Sequence, residues 1–369
     1  MARILLFLLI LALQFGIFEA AMRMWGSSEA ASSFQGLFTG DPAIGYRLKP
    51  GATVRFTTSE FDTAITINGS GVRDDEEIRA KAADERRIVV LGDSLVLSVQ
   101  VPFQQTFGEL LERRLNATPS PHRYRVINAG VQGYGPVEEM LFFRRVAANF
   151  EPDIVLTALF VGNDAEEAVT SEPKLDEGSR STAARARESL TTRARRIVRR
   201  SMVLQVLRLR LTQAVARIPS RAGPPEPPLQ SYAARPAARI GKGLAITRKC
   251  VDTLDAEAEA RGATTAVVLM PARFQVDDAD FGRLKEAVQQ AGGELVRDGA
   301  NARFQAALAG APYPHFDVLP ALRRAAAVPP DLFFQETVHL TPRGHEIVAE
   351  ALEGFLRDSG LLETNRRGR

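Results

Sequence analysis

The fold of this chain is constrained most by one short stretch, Arg-Ile-Val-Val-Leu-Gly-Asp-Ser-Leu at residues 87–95. Its consecutive apolar and mostly β-branched residues, Ile88 to Leu91, predict a strand buried on both faces, which a Gly-Asp pair ends abruptly. Ser94 therefore lies at a strand exit. Open α/β sheets place their active sites beyond the carboxyl ends of their strands, so Ser94 is the first candidate for chemistry.

The pattern that follows alternates helices with strands. Helices are predicted at 107–115, 137–149, 242–261, 279–291 and 344–357, and strands at 124–128, 153–161, 265–269 and 316–319. Strands separated by helices predict parallel pairing through right-handed crossovers. The expected fold class is α/β, with a doubly wound, mainly parallel sheet flanked by helices.

A serine hydroxyl is a poor nucleophile until a neighbouring base takes its proton. The four histidines are His122, His315, His339 and His345. His339 is predicted on a loop just before the last helix, which Thr341 and Pro342 begin as N-cap and first helical residue. Glu336, three residues upstream, is close enough in sequence to orient the His339 ring, so Ser94, His339 and Glu336 are the candidate nucleophile, base and orienting acid. His315 is the alternative base.

Two more strand exits carry hydrogen-bond donors. The strand at 124–128 runs into a glycine-rich loop that contains Gly133, and the strand at 153–161 is followed by Gly162, Asn163 and Asp164. The backbone N–H groups of Ser94 and Gly133 and the side-chain amide of Asn163 are the candidate oxyanion hole. Asn163 as a simple cap of the following helix is the alternative.

Through these four blocks, in this order, the chain resembles the SGNH (GDSL-type) hydrolases, of the N-terminally membrane-anchored bacterial type. The resemblance implies Ser94 as nucleophile, Gly133 and Asn163 as oxyanion donors, and His339 as base. It covers residues 86–164 and 243–358.

One residue departs from the family pattern. The last block of the family usually has an aspartate three residues before the histidine, where this chain has Glu336. A longer carboxylate can still accept the imidazole N–H, but the loop geometry must change. A Ser-His dyad, with a backbone carbonyl orienting the ring, is therefore the alternative to the triad.

The first residues predict an apolar helix. From residue 4 to residue 22 such a helix would extend about 28 Å, barely the hydrocarbon thickness of a bilayer. We expect an uncleaved membrane anchor with the catalytic domain on the periplasmic or extracellular side. A cleaved signal peptide shares the charged start and apolar core, and a buried core helix is the third interpretation. In either main case the bulk of the chain is exported.

The expected domain organisation is an anchor or signal at 1–25, a tether and small β-rich extension at 26–85, and an SGNH-like domain at 86–360. Two or three short strands are predicted in the extension, which could cover the active site or pack against the core edge. An insertion is expected at about 165–240. It contains eleven arginines and one glutamate at 180–217, then a proline-rich connector. The basic stretch is typical of a helix on an anionic surface or of a solvated helix on the core.

The composition argues against several classes of cofactor and binding partner. Cys250 is the only cysteine, so no intrachain disulfide or cysteine-rich metal site is possible, and no metal or organic cofactor is expected. The arginine-rich stretch at 180–217 contains no aromatic residues on which bases could stack, and this argues against nucleic-acid binding. The oligomeric state is not determined by these features.

The predicted function is that of an exported, membrane-tethered serine esterase. The resemblance implies carboxylic esters of lipids, carbohydrates or small molecules as substrates. An O-acyltransferase of envelope polysaccharide would use the same residues, and a non-catalytic binding or scaffold protein would retain the fold without turnover.

Overall fold

The structure is a computed structural model, and it describes residues 36–177, 229–328 and 331–363. The predicted N-terminal helix at 4–22, the arginine-rich stretch at 180–217 and most of the proline-rich connector lie outside the described residues. Within the described ranges, no helix combines the length and the apolar character needed to cross a membrane.

Four short strands precede the main sheet and form two antiparallel hairpins. They are β1 (Phe38–Asp41), β2 (Gly45–Leu48), β3 (Thr53–Thr57) and β4 (Asp62–Thr66), paired β1 with β2 and β3 with β4. Strands β3 and β4 alternate exposed and buried residues, with Val54, Phe56 and Ile65 facing inward. This period of two is the one expected for strands with a single buried face. The predicted β-rich extension is confirmed, with four strands rather than two or three.

The main sheet has five parallel strands. They are β5 (Glu85–Gly92), β6 (Arg123–Gly130), β7 (Ile154–Phe160), β8 (Thr264–Met270) and β9 (His315–Asp317), in the spatial order β6-β5-β7-β8-β9. The chain order reverses at β5, between β6 and β7, and such a switch point is where α/β sheets bind ligands. The predicted doubly wound α/β fold is confirmed.

Helices cover both faces of the sheet. Within the described ranges they are α1 (Ser94–Leu97), α2 (Phe107–Ala117), α3 (Pro136–Arg145), α4 (Asp164–Ser171), α5 (Pro173–Glu177), α6 (Ala238–Glu259), α7 (Arg273–Val276), α8 (Asp278–Gln290), α9 (Gly299–Leu308), α10 (Leu319–Ala325) and α11 (Pro342–Asp358). Short 3₁₀ turns occupy Phe103–Gln105, Ala147–Phe150 and Gln230–Tyr232.

The two faces of the sheet pack into two apolar clusters. On one face, Ile88 and Val90 of β5 pack with residues of α2 and α11. On the other, Val267 and Leu269 of β8 pack with residues of α6 and α9. Each fully buried side chain of this size contributes about 1.5–3 kcal/mol relative to its exposed state. The sheet edge that carries the candidate site is thereby fixed from both sides.

Helix α4 packs directly on α6. A Cβ atom added to Gly243 of α6 would lie 1.7 Å from the carbonyl oxygen of Ala165, so only glycine permits this approach. Although the sequence predicts an insertion from about residue 165, residues 164–171 are a helix of the layer that covers the sheet. This contact fixes the start of α4, where Asn163 lies.

Candidate active site

Ser94 is held by a tight turn at the end of β5. Asp93 is the N-cap of α1, and its Oδ1 atom accepts the N–H of Leu95 at 2.7 Å. A Cβ atom on Gly92 would lie 2.3 Å from Val96 Cγ2, so the strand can turn this sharply only with glycine there. Ser94 is the first residue of α1, and its N–H has no acceptor within the helix.

His339 faces the serine hydroxyl. Its Nε2 atom is 2.9 Å from Ser94 Oγ, although the two residues are 245 positions apart in the chain. His339 lies on the loop before α11, whose N-cap Thr341 accepts the N–H of Gly344 through its hydroxyl, as predicted. Burial lowers the pKa of His339 to about 4, so the ring is neutral at pH 7 and can accept a proton.

The structure does not bring Glu336 to the His339 ring. Glu336 is exposed, and its Oε2 atom accepts a hydrogen bond from the hydroxyl of Ser59 at 2.6 Å. Its backbone N–H donates to Glu60 at 2.9 Å. The β3–β4 turn therefore holds Glu336, and the orienting contact expected from the sequence is not present.

The backbone-carbonyl alternative also has no counterpart in the described part of the chain. The Nδ1 atom of His339 is buried and has no hydrogen-bond partner there. The loop is instead held at its backbone, where the N–H of His339 donates to Thr337 Oγ1 at 3.3 Å. His315, the alternative base, lies in β9 at the opposite edge of the sheet from β5 and β6.

Gly133 lies in the loop after β6 with a φ angle of +69°, a conformation that favours glycine. Among the described residues its N–H has no hydrogen-bond acceptor. The hydroxyl of Tyr46, from β2, donates to the carbonyl oxygen of Gln132 at 2.7 Å. The hydroxyl of Tyr134 donates back to the carbonyl of Tyr46 at 2.6 Å. The N-terminal extension thus fixes the loop that carries the candidate oxyanion donor, a contact that the sequence analysis missed.

Asn163 is the N-cap residue of α4 by position, but its side chain does not cap the helix. The amide Nδ2 atom donates to Glu167 Oε1 at 2.7 Å. The amide oxygen is buried and has no partner in the described ranges. The capping alternative considered for Asn163 therefore has no hydrogen bond to support it.

Buried carboxyl groups lie beneath the site. Asp93, Glu139 and Asp164 are each at most 5% exposed. Burial is the main cause that raises their pKa values, to about 7 for Asp93 and well above the usual range for the other two. In this group Asp164 accepts the N–H of Phe160 at 2.8 Å, whereas neither carboxyl oxygen of Glu139 has a partner in the described part of the chain. The spacing of these acids in the sequence gives no sign that they meet.

A cavity of about 560 Å³ opens beside Asn163. Its walls are mainly apolar and include Phe160, Leu229, Phe274, Leu284, Ala287 and Val338. Val338 precedes the candidate base in the chain, so the cavity borders both the oxyanion donor and the His339 loop. Over the described ranges, no three or more His, Cys, Asp and Glu side chains are grouped so that they could hold a metal ion.

A serine within hydrogen-bonding distance of a neutral imidazole, at the end of a parallel sheet, is the arrangement of nucleophile and base found in α/β serine hydrolases. Residues 230–368 match a family model described as the SGNH hydrolase-like domain of the acetyltransferase AlgX. No curated protein matches the chain. The match covers residues 230–368, the part of the chain that contains His339, and it agrees with the resemblance to SGNH hydrolases that the four sequence blocks indicate.

Solved structures also resemble the chain at low identity. TesA is 13% identical, with 74% of this chain and 99% of TesA covered and a TM-score of 0.38. A catalytic mutant of Axe2, an acetylxylan esterase from Geobacillus stearothermophilus, is 12% identical over 74% and 94% of the two chains, with a TM-score of 0.39. The lipase/acylhydrolase from Enterococcus faecalis is 14% identical over 74% and 96%, with a TM-score of 0.38. Similarities this weak carry no argument about activity.

Proposed function

We propose that the protein is a serine esterase that hydrolyses carboxylic esters through an acyl-enzyme. The observation that carries the proposal is the 2.9 Å separation between His339 Nε2 and Ser94 Oγ. His339 Nε2 takes the hydroxyl proton as Ser94 Oγ attacks the ester carbonyl carbon. The bond to the alcohol oxygen then breaks, and His339 returns the proton to the departing alcohol.

Hydrolysis of the acyl-enzyme reverses these roles. His339 takes a proton from water, the hydroxide attacks the acyl carbon, and Ser94 leaves with the proton from His339. In both steps the negative oxygen would be stabilised by the N–H groups of Ser94 and Gly133 and by the amide of Asn163. One such donor typically changes kcat by about 10²–10³.

A covalent probe tests the proposal directly. A fluorophosphonate should label the wild-type protein, and Ser94→Ala should abolish labelling. The matched control is Ser98→Ala at the C-cap of α1, since the Ser98 hydroxyl donates to the Leu95 carbonyl at 2.6 Å. Labelling of Ser98→Ala should persist. A wild-type protein that neither reacts with the probe nor hydrolyses any ester would favour the non-catalytic scaffold instead.

The cavity beside Asn163 supports acyl groups longer than acetyl as substrates. Burying each added methylene in apolar walls contributes about 0.8 kcal/mol, or about fourfold in kcat/KM. We expect kcat/KM to rise over a series of p-nitrophenyl esters from acetate to octanoate. Leu284→Asp, which places a charge in the cavity wall at a partly buried position, should flatten that rise while leaving acetate hydrolysis nearly unchanged.

An O-acyltransferase acting on envelope polysaccharide is the second candidate. It is favoured by the match of residues 230–368 to a family model named for an acetyltransferase. The same acyl-enzyme would then pass its acyl group to a sugar hydroxyl instead of water. Acylated glycan formed at the expense of free acid, when a glycan acceptor is added, would identify the transferase.

Export and membrane tethering belong to the same proposal. Their support is the apolar stretch at 4–22, with the catalytic domain taken as residues 86–360 after a tether and extension. Cell fractionation of the full chain should recover it with membranes. Replacement of residues 1–25 by a cleavable signal peptide should release it in soluble, exported form.

A further inference from the structure

The amide of Asn163 is held by a single carboxyl group. One N–H of the amide donates to Glu167 Oε1 at 2.7 Å, and the second N–H has no acceptor among the described residues. The amide oxygen is buried without a donor in the same ranges. Among the described residues, the bond to Glu167 is therefore the one hydrogen bond of the Asn163 side chain.

Glu167 is itself tightly placed. It lies one turn along α4 from Asn163, and its second oxygen, Oε2, is buried without a hydrogen-bond donor in the described ranges. A Cβ atom on Gly135 would lie 3.0 Å from Glu167 Cβ. Gly135 belongs to the same loop as Gly133, so Glu167 packs between the two loops that carry the proposed oxyanion donors.

The charge of Glu167 matters at this position. An ionised carboxylate beside the amide would oppose the negative charge that develops on the substrate oxygen, whereas a neutral acid can accept the same hydrogen bond through its carbonyl oxygen. Burial and the nearby carboxyls of Asp93 and Glu138 raise the pKa of Glu167 to about 7, against the lowering effects of Asn163 and Lys174. The other titratable groups that interact electrostatically with Glu167 are Tyr46, Glu139 and Asp164.

We propose that Glu167 is a positioning residue of the oxyanion site, which holds one N–H of Asn163 so that the other N–H points at the substrate oxygen. In the active enzyme the Glu167 carboxyl group is neutral. This inference rests on the proposed esterase function and adds to it a residue that does not touch the substrate.

The test is the pH dependence of kcat and KM for a short-chain ester, from about pH 5 to about pH 9, in wild type, Glu167→Gln and Glu167→Ala. Wild-type kcat should fall as the pH rises through about 7, because ionised Glu167 opposes the oxyanion. Glu167→Gln keeps the hydrogen bond without a titrating group, so its kcat should match the wild-type acid plateau and show no such fall. Glu167→Ala should lose about 10–100-fold in kcat at every pH, with KM little changed.

The control is Glu166→Gln, which removes the neighbouring carboxylate on α4, ion-paired with Arg239 at 3.4 Å, and should retain the wild-type profile. Two results would overturn the inference: a Glu167→Gln enzyme as impaired as Glu167→Ala, or one with the same alkaline fall as wild type. Either result with an active wild type leaves the esterase proposal intact. A wild type without turnover or Ser94 labelling would overturn both.

Discussion

The imidazole of His339 has its Nε2 atom on Ser94 and, in the described residues, no partner for Nδ1. For Nε2 to accept the serine proton, Nδ1 must carry the ring hydrogen. Burial of that nitrogen without an acceptor costs free energy, but it also keeps the ring neutral. The geometry therefore favours Ser94 and His339 acting without a third group on Nδ1, over the triad with Glu336.

This geometry predicts unequal effects of two substitutions. Glu336→Ala should reduce kcat/KM by less than about threefold, because the carboxylate contacts Ser59 and not the ring. His339→Ala should reduce it by about 10³-fold or more. Steady-state kinetics on one ester compares them. A loss of 100-fold or more in Glu336→Ala, on the scale of a missing triad member, would mean that the carboxylate reaches the imidazole during turnover.

Protonation of His339 should also determine how activity is lost at low pH. A general base must be deprotonated, and burial lowers the pKa of His339 to about 4. On the acid side we expect kcat/KM to be lost only as the pH falls through about 4, and to be level between about pH 5 and about pH 6, before the alkaline fall attributed to Glu167 begins. A midpoint near the ordinary imidazole value of about 6.5 would indicate a carboxylate partner or a more hydrated ring.

At the scale of elements, the two N-terminal hairpins each contact a loop of the proposed site. Tyr46 of β2 binds the Gly133 loop, and the β3–β4 turn binds the His339 loop. The carboxylate of Glu60 accepts the N–H groups of Gln335 at 2.6 Å and Glu336 at 2.9 Å. From the other side Arg273, ion-paired with Asp280, donates to the carbonyls of the same loop.

Removing one of these contacts should make the loop that carries His339 more mobile. Glu60→Ala deletes two charge-assisted hydrogen bonds, so kcat should fall about 3–30-fold and amide exchange at 334–338 should accelerate. Glu77→Ala is the matched control, because Glu77 accepts the N–H of Gly69 at 2.7 Å in the same extension but away from the site. Equal effects of both substitutions on kcat would show that the extension acts only through general stability.

Features of the site that depend on neighbouring residues could be predicted from the sequence, whereas contacts between residues far apart in the chain could not. The buried strand before Ser94, the glycine-rich loop at Gly133 and the Thr-Pro start of α11 are local patterns. Of the residues they indicated, the fold brings Ser94 and His339 within hydrogen-bonding distance. The hydrogen bond between Ser59 and Glu336 could not be predicted from local sequence, because the two residues are 277 positions apart. The contact between Asn163 and Glu167 could have been predicted from the sequence, because residues four apart at the start of a helix lie on the same face.

At the scale of the whole molecule, the buried acids join elements that are distant in sequence. Asp93 caps α1 after β5, Asp164 binds the backbone of β7, and Glu139 comes from α3. Their shared effect is to keep carboxyl groups neutral beneath the sheet edge, since burial penalises the charged forms of all three. Asp93 also raises the pKa values of Glu139 and Asp164, and Glu139 raises that of Asp164. The candidate site thus lies over a region whose stability depends on pH.

The sign of that dependence follows from linkage. In the unfolded chain these acids ionise near pH 4, and in the folded state they stay protonated to higher pH, so the folded state binds more protons between about pH 4 and about pH 7. Stability is full below the unfolded values and falls as the pH rises through this window. The melting temperature should therefore decrease from about pH 5 to about pH 8, by roughly 2–4 °C for each kcal/mol lost.

Glu139→Gln tests this at one member of the group. The neutral amide removes a titrating group whose carboxyl oxygens have no partner in the described residues, so the decrease in melting temperature with pH should be smaller than in wild type. Glu77→Gln, outside the group, should follow the wild-type curve. The measurement is thermal unfolding followed by circular dichroism across the pH series. A Glu139→Gln protein that loses as much stability toward alkaline pH as wild type would place the proton uptake elsewhere in the molecule.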